Sequence, residues 1–324
     1  MRRRIILSVG ILLLLIYVCI KTKDTYLPEA DAIESIGLRV MGEISLEQAL
    51  EETVPESLTV EASPEILIPE TAAMPQTLHF VDAWGEWFDA DINTEVAAHI
   101  YDWNCLENTE NGISYEGDER YYIRKGIDVS HHQGRIEWDK VKSAGYDFAI
   151  LRIGYRGYGE TGSLNVDRTF HDNIKGAKEA GMDVGVYFFS QAVNEEEALE
   201  EAQLVIDTLE GYELELPVVY DPELIRDASA RTDMVTGEQF TRNTIVFCEK
   251  IRKAGYQPMI YSNMYWEAFI FDMKELEDYP VWYADYEELP QTPYQFELWQ
   301  YTESGYVHGI EGVTDLDVQF CPRD

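Results

Sequence analysis

Residues 217–223 read Pro-Val-Val-Tyr-Asp-Pro-Glu, a short apolar run of strand-forming residues ending in two carboxylates separated by one proline. In extended backbone alternate side chains share a face, so Asp221 and Glu223 point the same way from the end of a buried strand. Two neighbouring carboxyls are the equipment of glycoside hydrolysis: one donates a proton to the leaving oxygen and the other faces a sugar cation. Asp-x-Glu by itself is a common pattern, so its surroundings decide.

Outward from this run, similar apolar stretches recur at Arg124–Ser130, Phe148–Gly154, Val184–Ser190, Pro258–Ser262, Val281–Ala284, Glu297–Tyr301 and Leu316–Phe320. Helical patterns fall between the early ones, at Trp138–Ala144, Asp167–Ala180, Glu195–Leu209 and Gly237–Ala254. Buried strands alternating with helices predict βα units on a parallel sheet. Eight strands within residues 122–324 predict an α/β fold, an irregular (β/α)8-like TIM barrel, compact because its last connections are short for full helices.

The N-terminal third differs. Arg2, Arg3 and Arg4 precede an apolar stretch from Ile5 to Ile20, and Lys21 and Lys23 follow it, with no small-residue cleavage site in view. Residues 1–23 therefore read as an uncleaved signal anchor, with cleavage and secretion as the alternative. The basic flank puts residues 1–4 in the cytoplasm and the rest outside a cell membrane crossed once. Residues 24–76 are acidic and broken by Pro28, Pro55, Pro64, Pro69 and Pro75, the composition of a solvated stalk. Residues 77–121 crowd Phe80, Trp84, Trp87, Phe88, Tyr101 and Trp103 into a segment too short for its own core. It is expected to pack on the barrel domain, with a glycan-gripping flap as the functional variant of that expectation.

Composition removes several partner classes. A formal charge of −36 disfavours nucleic acid, whose phosphates are met by Lys and Arg. Cys105, Cys248 and Cys321 lie beyond the anchor without the close spacing of a zinc site or a disulfide framework. His131 and His132, adjacent on one loop, cannot easily aim at a single ion, so neither a metal nor any cofactor is expected. The Gly154–Gly159 stretch fits no phosphate-loop spacing; it reads as a loop offering Tyr155, Arg156 and Tyr158 to a groove.

Barrel enzymes carry their chemistry at strand ends. Asp128 closes the first strand, Asp221 and Glu223 the fourth, Asp285 follows the sixth, and Asp315 and Asp317 flank Leu316 in the last. In the seventh, Glu297, Trp299 and Tyr301 repeat with a period of two while Gln300 points the other way. So many carboxylates at one rim repel unless they are used.

These segments, in this order, resemble the family 25 glycoside hydrolases, the N,O-diacetylmuramidase class of lysozymes. The matching pieces are GIDVSHHQG at 126–134 with Trp138, FAILRIGYRG at 148–157, GVYFFS at 185–190, PVVYDPE, PMIYSN at 258–263, WYAD at 282–285, LWQY at 298–301 and GVTDLDVQF at 312–320. The resemblance implies a barrel that cuts the β-1,4 bond between N-acetylmuramic acid and N-acetylglucosamine in peptidoglycan. It also implies that Asp128, Asp221, Glu223 and Asp315 form the acidic constellation. One position departs: where the family often carries Asn, this chain has Asp317, whose charge either raises a neighbouring carboxyl's pKa or sits outside the site.

Glu223 is the expected general acid, its proton retained because of the charge on Asp221 in a partly apolar mouth. Asp221 is expected to remain ionised and to stabilise the cation, orient the substrate's N-acetyl group, or activate water. Asp128 and Asp315 are assigned to positioning, and Tyr155, Tyr187, Trp282, Tyr283, Asp285 and Trp299 to substrate binding. The expected partners are peptidoglycan strands and, through the anchor, the membrane; with no wall-binding repeats after Phe320, targeting would rest on that anchor and suit local wall remodelling. The rival readings are a catalytically silent membrane-tethered wall-binding protein, or another secreted glycosidase such as a chitinase-like enzyme. Of the chitinase pattern D-x-x-D-x-D-x-E, only the final D-x-E is present.

Overall fold

The computed structural model describes residues 76–109 and 112–323. The expected anchor at 1–23 and, apart from residue 76, the stalk lie outside the described residues. No helix of the described residues is long and apolar enough to cross a membrane.

The described residues open with two antiparallel hairpins, β1 (Thr77–Val81) with β2 (Trp87–Asp91) and β3 (Leu106–Thr109) with β4 (Gly112–Tyr115). There follow β5 (Tyr121–Val129), α1 (Trp138–Ser143), β6 (Phe148–Arg156), β7 (Leu164–Val166), α2 (Phe170–Glu179), β8 (Asp183–Ser190) and α3 (Glu195–Thr208). The remainder is β9 (Val218–Pro222), α4 (Gly237–Lys253), β10 (Pro258–Asn263), α5 (Met264–Phe269), β11 (Val281–Ala284), β12 (Leu298–Gly305) and β13 (Thr314–Pro322). The sheet runs β5-β13-β12-β11-β10-β9-β8-β6, and pairing of β5 with β6 closes it into a barrel; β7 hangs on β6 as a short hairpin partner.

This barrel corrects the expected (β/α)8 architecture. It is an eight-stranded mixed β-barrel with few helices, and no helix ring surrounds it. β13 runs antiparallel to both β12 and β5, and no helix lies between β11 and β12 or between β12 and β13. Link length explains the reversal. A parallel crossover takes a dozen or more residues, and residues 306–313 between β12 and β13 are too few.

Where helices do form, their ends are written locally. Thr236 caps α4 by accepting from the Gln239 amide at 3.2 Å, and Lys250, Arg252 and Lys253 sit in its last turn, where the carbonyl dipoles favour cations. Its buried face, Phe240, Thr244, Phe247 and Ile251, repeats at helical spacing. Asn194 likewise caps α3, and three glutamates fill its first turn.

Strand alternation sorts the apolar residues into two bodies. Phe148, Ile150, Val219, Met259, Trp282 and Leu298 fill the barrel interior, joined by Tyr187 and Tyr261. Their neighbours in sequence, among them Ala149, Leu151, Val218, Tyr220, Ile260, Tyr283 and Trp299, face outward into the larger shell. Gly126 is demanded by the interior: a Cβ there would lie 2.1 Å from the Phe148 ring. The N-terminal segment joins the shell through rings. Tyr101 stacks on Phe320 at 4.1 Å, Phe88 meets Tyr265 edge-on at 5.2 Å, and the Tyr101 hydroxyl donates to the Phe296 carbonyl.

Candidate active site

Parallel strands bring their C-terminal ends to one rim, so Asp128 on β5, Asp221 on β9, Glu223 just beyond it and Asp285 after β11 gather there. Asp315 stands at the start of β13, not at its end, and pairs across the sheet with Asp128. Only the antiparallel direction of β13 puts it on the same rim.

These five carboxylates line one cavity of about 880 Å³, with Tyr187, Tyr261, Trp282, Tyr286, Gln300 and Glu303 among the other walls. That volume is near the top of the range for small-molecule sites, about 300–1,000 Å³. Gln300 is the organising amide. It donates to Asp128 Oδ2 at 2.7 Å, while the hydroxyls of Tyr261 and Tyr286 both donate to its Oε1 at 2.9 Å. Those two donors fix the amide's orientation, and the amide fixes Asp128.

The electrostatics favour protons. Burial first, then the charges of Asp315 and Asp317, pushes the Asp128 carboxyl well above the usual range. Burial raises Glu223 to about 7 against a pull from the Arg152 guanidinium. Asp221 is also held well above the ordinary value, by burial and then by Glu223, with Arg152 opposing. The expectation that a fixed charge on Asp221 raises Glu223 therefore needs correcting. Burial comes first, both groups favour the acid form, and they titrate as a pair. Asp221 Oδ1 is buried without a hydrogen-bond partner, so no protein donor stabilises a charge on that oxygen. Asp315 is raised to about 7 by burial and then by Glu303.

Asp317 sits beneath the cavity, 1 % exposed, its Oδ1 accepting from the Trp282 indole at 2.8 Å. Its charge is among those raising Asp128. It thus acts on the cluster without reaching the cavity wall.

Of the other residues singled out for substrate binding, Tyr187, Trp282 and Asp285 line the cavity. Asp285 is committed to the protein, accepting from the Tyr283 hydroxyl at 2.8 Å and the Gln291 amide at 2.9 Å. Tyr283 and Trp299 face the outer shell, and the Trp299 indole donates to the Asp285 carbonyl at 2.8 Å. Tyr155 is not among the lining residues; it packs under Arg152, whose guanidinium lies 5.2 Å from its ring. Arg156, expected to face a groove, is 4 % exposed and bound to Glu201 at 2.7 Å and to the Gly162 carbonyl at 2.9 Å.

Sequence reasoning missed Arg152, Tyr261, Tyr286, Gln300 and Glu303. The signal for Gln300 lies in its alternation with Trp299: the two point to opposite faces, and it is Gln300, not the expected Trp299, that faces the cavity. His131 Nδ1 lies 3.0 Å from Asp167, beside Arg152. Among the described residues no group of three or more His, Cys, Asp or Glu is placed to hold a metal ion, and Cys105, Cys248 and Cys321 are all unpaired.

Comparison with known proteins finds similar lysozymes and autolysins. The autolytic lysozyme of Clostridium acetobutylicum is 28 % identical over 196 residues, which is 60 % of this chain but only 55 % of that relative. The chain thus spans about half the length of that relative. Among solved structures, the modular autolysin LytC of Streptococcus pneumoniae, in complex with a synthetic peptidoglycan ligand, is similar with a TM-score of 0.56 at 25 % identity, covering 77 % of this chain and 57 % of LytC. The bacterial lysozyme of Streptomyces coelicolor is similar at 0.50 and 25 %, over 60 % of this chain and 90 % of that one. With the family model for glycosyl hydrolases family 25 matching residues 127–310, over half of its length, this chain belongs to that family.

Proposed function

We propose that this protein is a peptidoglycan hydrolase, a lysozyme that cuts the β-1,4 bond between N-acetylmuramic acid and N-acetylglucosamine. The observation that carries the reading is the acidic cavity in which Glu223 keeps its proton to about pH 7 beside Asp221. Glu223, the more accessible of the two, gives its proton to the glycosidic oxygen as the bond from the anomeric carbon to that oxygen breaks. In the active form the pair holds one proton, on Glu223, and Asp221, deeper and short of donors, faces the developing oxocarbenium ion as a carboxylate whose charge the sugar cation compensates. Water adds to the anomeric carbon, and its proton restores Glu223. Asp128, held by Gln300, and Asp315 set the field at this pair, and Tyr187 offers ring surface to the sugars, with the buried Trp282 behind it.

The basic-flanked apolar stretch within residues 1–23 supports a membrane-held enzyme acting outside the cell on wall close to it, a reading of local remodelling. The test is release of soluble muropeptides from purified peptidoglycan by the full chain, with Glu223→Gln as control and new reducing ends identified by mass spectrometry. Reducing-end muramic acid made by the parent and lost in the variant is expected. Reducing-end glucosamine would overturn the bond assignment; binding without release would replace an enzyme with a wall-binding protein.

A further inference from the structure

The β1–β2 hairpin precedes the stretch matched by the family model, which starts at residue 127, yet it walls the acidic cavity. Asp82, Trp84 and Glu86 line it together with Glu223, Arg226 and Asp285. We propose that Trp84, backed by Arg226, forms a further sugar subsite, in which the indole stacks on the face of an N-acetylhexosamine ring of the bound strand, away from the bond being cut. This rests on the reading of the cavity as a glycan site.

The hairpin is fixed to the rim by specific bonds. Val81 donates its amide to Gln291 Oε1 and accepts at its carbonyl from Gln291 Nε2, each at 2.9 Å, while the backbone of Gln291 donates to Asp285. Beneath, Phe80 is fully buried and stacks on Phe88. The turn is stiff as well. Asp82 Oδ1 accepts from the amides of Trp84 and Glu86 at 2.9 and 2.8 Å, and Gly85 takes the positive φ of 79° that the reversal needs. A side chain on such a turn is already ordered, so engaging a ligand costs little further backbone entropy.

Trp84 is nevertheless 64 % exposed. One indole face is covered by Arg226, three positions after Glu223 in the chain, with its guanidinium 4.4 Å from the ring centroid. Asp82 and Glu86 stand 3.9 and 3.7 Å from that guanidinium and offset its charge. The exposure that remains leaves the indole free to meet the apolar C–H face of a pyranose, and the flanking carboxylates can accept from its hydroxyls or amide N–H. Because Arg226 and Glu223 share one loop, the subsite is tied to the acid that acts on the bond.

The experiment measures binding of soluble, peptide-free glycan strands to the full chain carrying Glu223→Gln, with and without Trp84→Ala. Loss of the stacked ring is expected to weaken binding about tenfold, the equivalent of roughly 1.4 kcal/mol, and Trp84→Tyr to restore most of it. In the active background Trp84→Ala should raise KM more than it lowers kcat. Arg226→Gln, which leaves the turn intact, should weaken binding by a smaller factor. Unchanged binding and KM in Trp84→Ala, with the parent still cleaving glycan, would overturn the subsite alone. If the parent neither binds nor cuts glycan, the reading of the cavity falls, and the subsite with it.

Discussion

Glu223 sets the most informative experiment. An ordinary glutamic acid of pKa 4.5 would be protonated in only about one molecule in 300 at pH 7, whereas Glu223 at about 7 is half protonated. Burial therefore enriches the acid form at neutral pH by roughly 150-fold. The sign follows from the role: a general acid works while protonated, so the rate falls about tenfold per unit above about pH 7, and because Asp221 must be ionised to face the cation it falls again on the acid side as the pair takes up its second proton. Replacing Glu223 by Gln keeps the shape but supplies no transferable proton, so a loss of about 10²–10⁴ is expected. The assay is the initial rate of reducing-end release from peptidoglycan between pH 4 and 9 at fixed ionic strength, for parent and variant, with thermal unfolding followed in the same buffers. A descending limb near 4.5 would show that burial does not hold the proton. A Glu223→Gln enzyme with a tenth or more of the parent rate would remove Glu223 from the acid role.

Three further outcomes follow from the buried groups. Asp317 is held well above the carboxylate range, so the folded state keeps a proton that the unfolded chain loses above about pH 4, and stability falls as pH rises. Asp317→Asn, whose amide can serve Asp128, should raise the melting temperature above pH 7 by the equivalent of roughly 1–3 kcal/mol; a lower melting temperature there would refute this. Glu267, fully buried and raised to about 8 by burial, predicts the same slope between about pH 4.5 and 8. Glu267→Gln keeps the Thr292 hydroxyl as donor and should flatten that slope by a few kcal/mol over the window, checked by chemical denaturation at pH 5 and 8.5. Gly126→Ala would drive a methyl to 2.1 Å from Phe148 and should cost about 1–3 kcal/mol, partly restored by adding Phe148→Leu; equal denaturation midpoints for parent and single variant would contradict the packing.

Much of this was legible in the chain itself. Alternating apolar runs located the eight barrel strands, and amphipathic spacing located the helices between the early ones, because these signals act over a few residues. The run at 217–223 was enough to put Asp221 and Glu223 at a strand end. Tertiary structure decided what a period of two leaves symmetric. Trp282 and Tyr283 are both apolar neighbours on β11, yet Trp282 enters the barrel and Tyr283 the shell; on β12 Gln300 takes the inside and Trp299 the outside. Alternation says that neighbours part, and only the closed barrel says which of them is within. By sequence alone the last strand reads as one more parallel strand; its reversal, and with it Asp315 opposite Asp128, came only with the closed barrel. Trp84 lies well over a hundred residues before Glu223, and no local pattern joins them. Their shared cavity exists because Gln291 and Asp285 hold the hairpin at the rim, a contact between segments far apart in sequence that folding alone brings together.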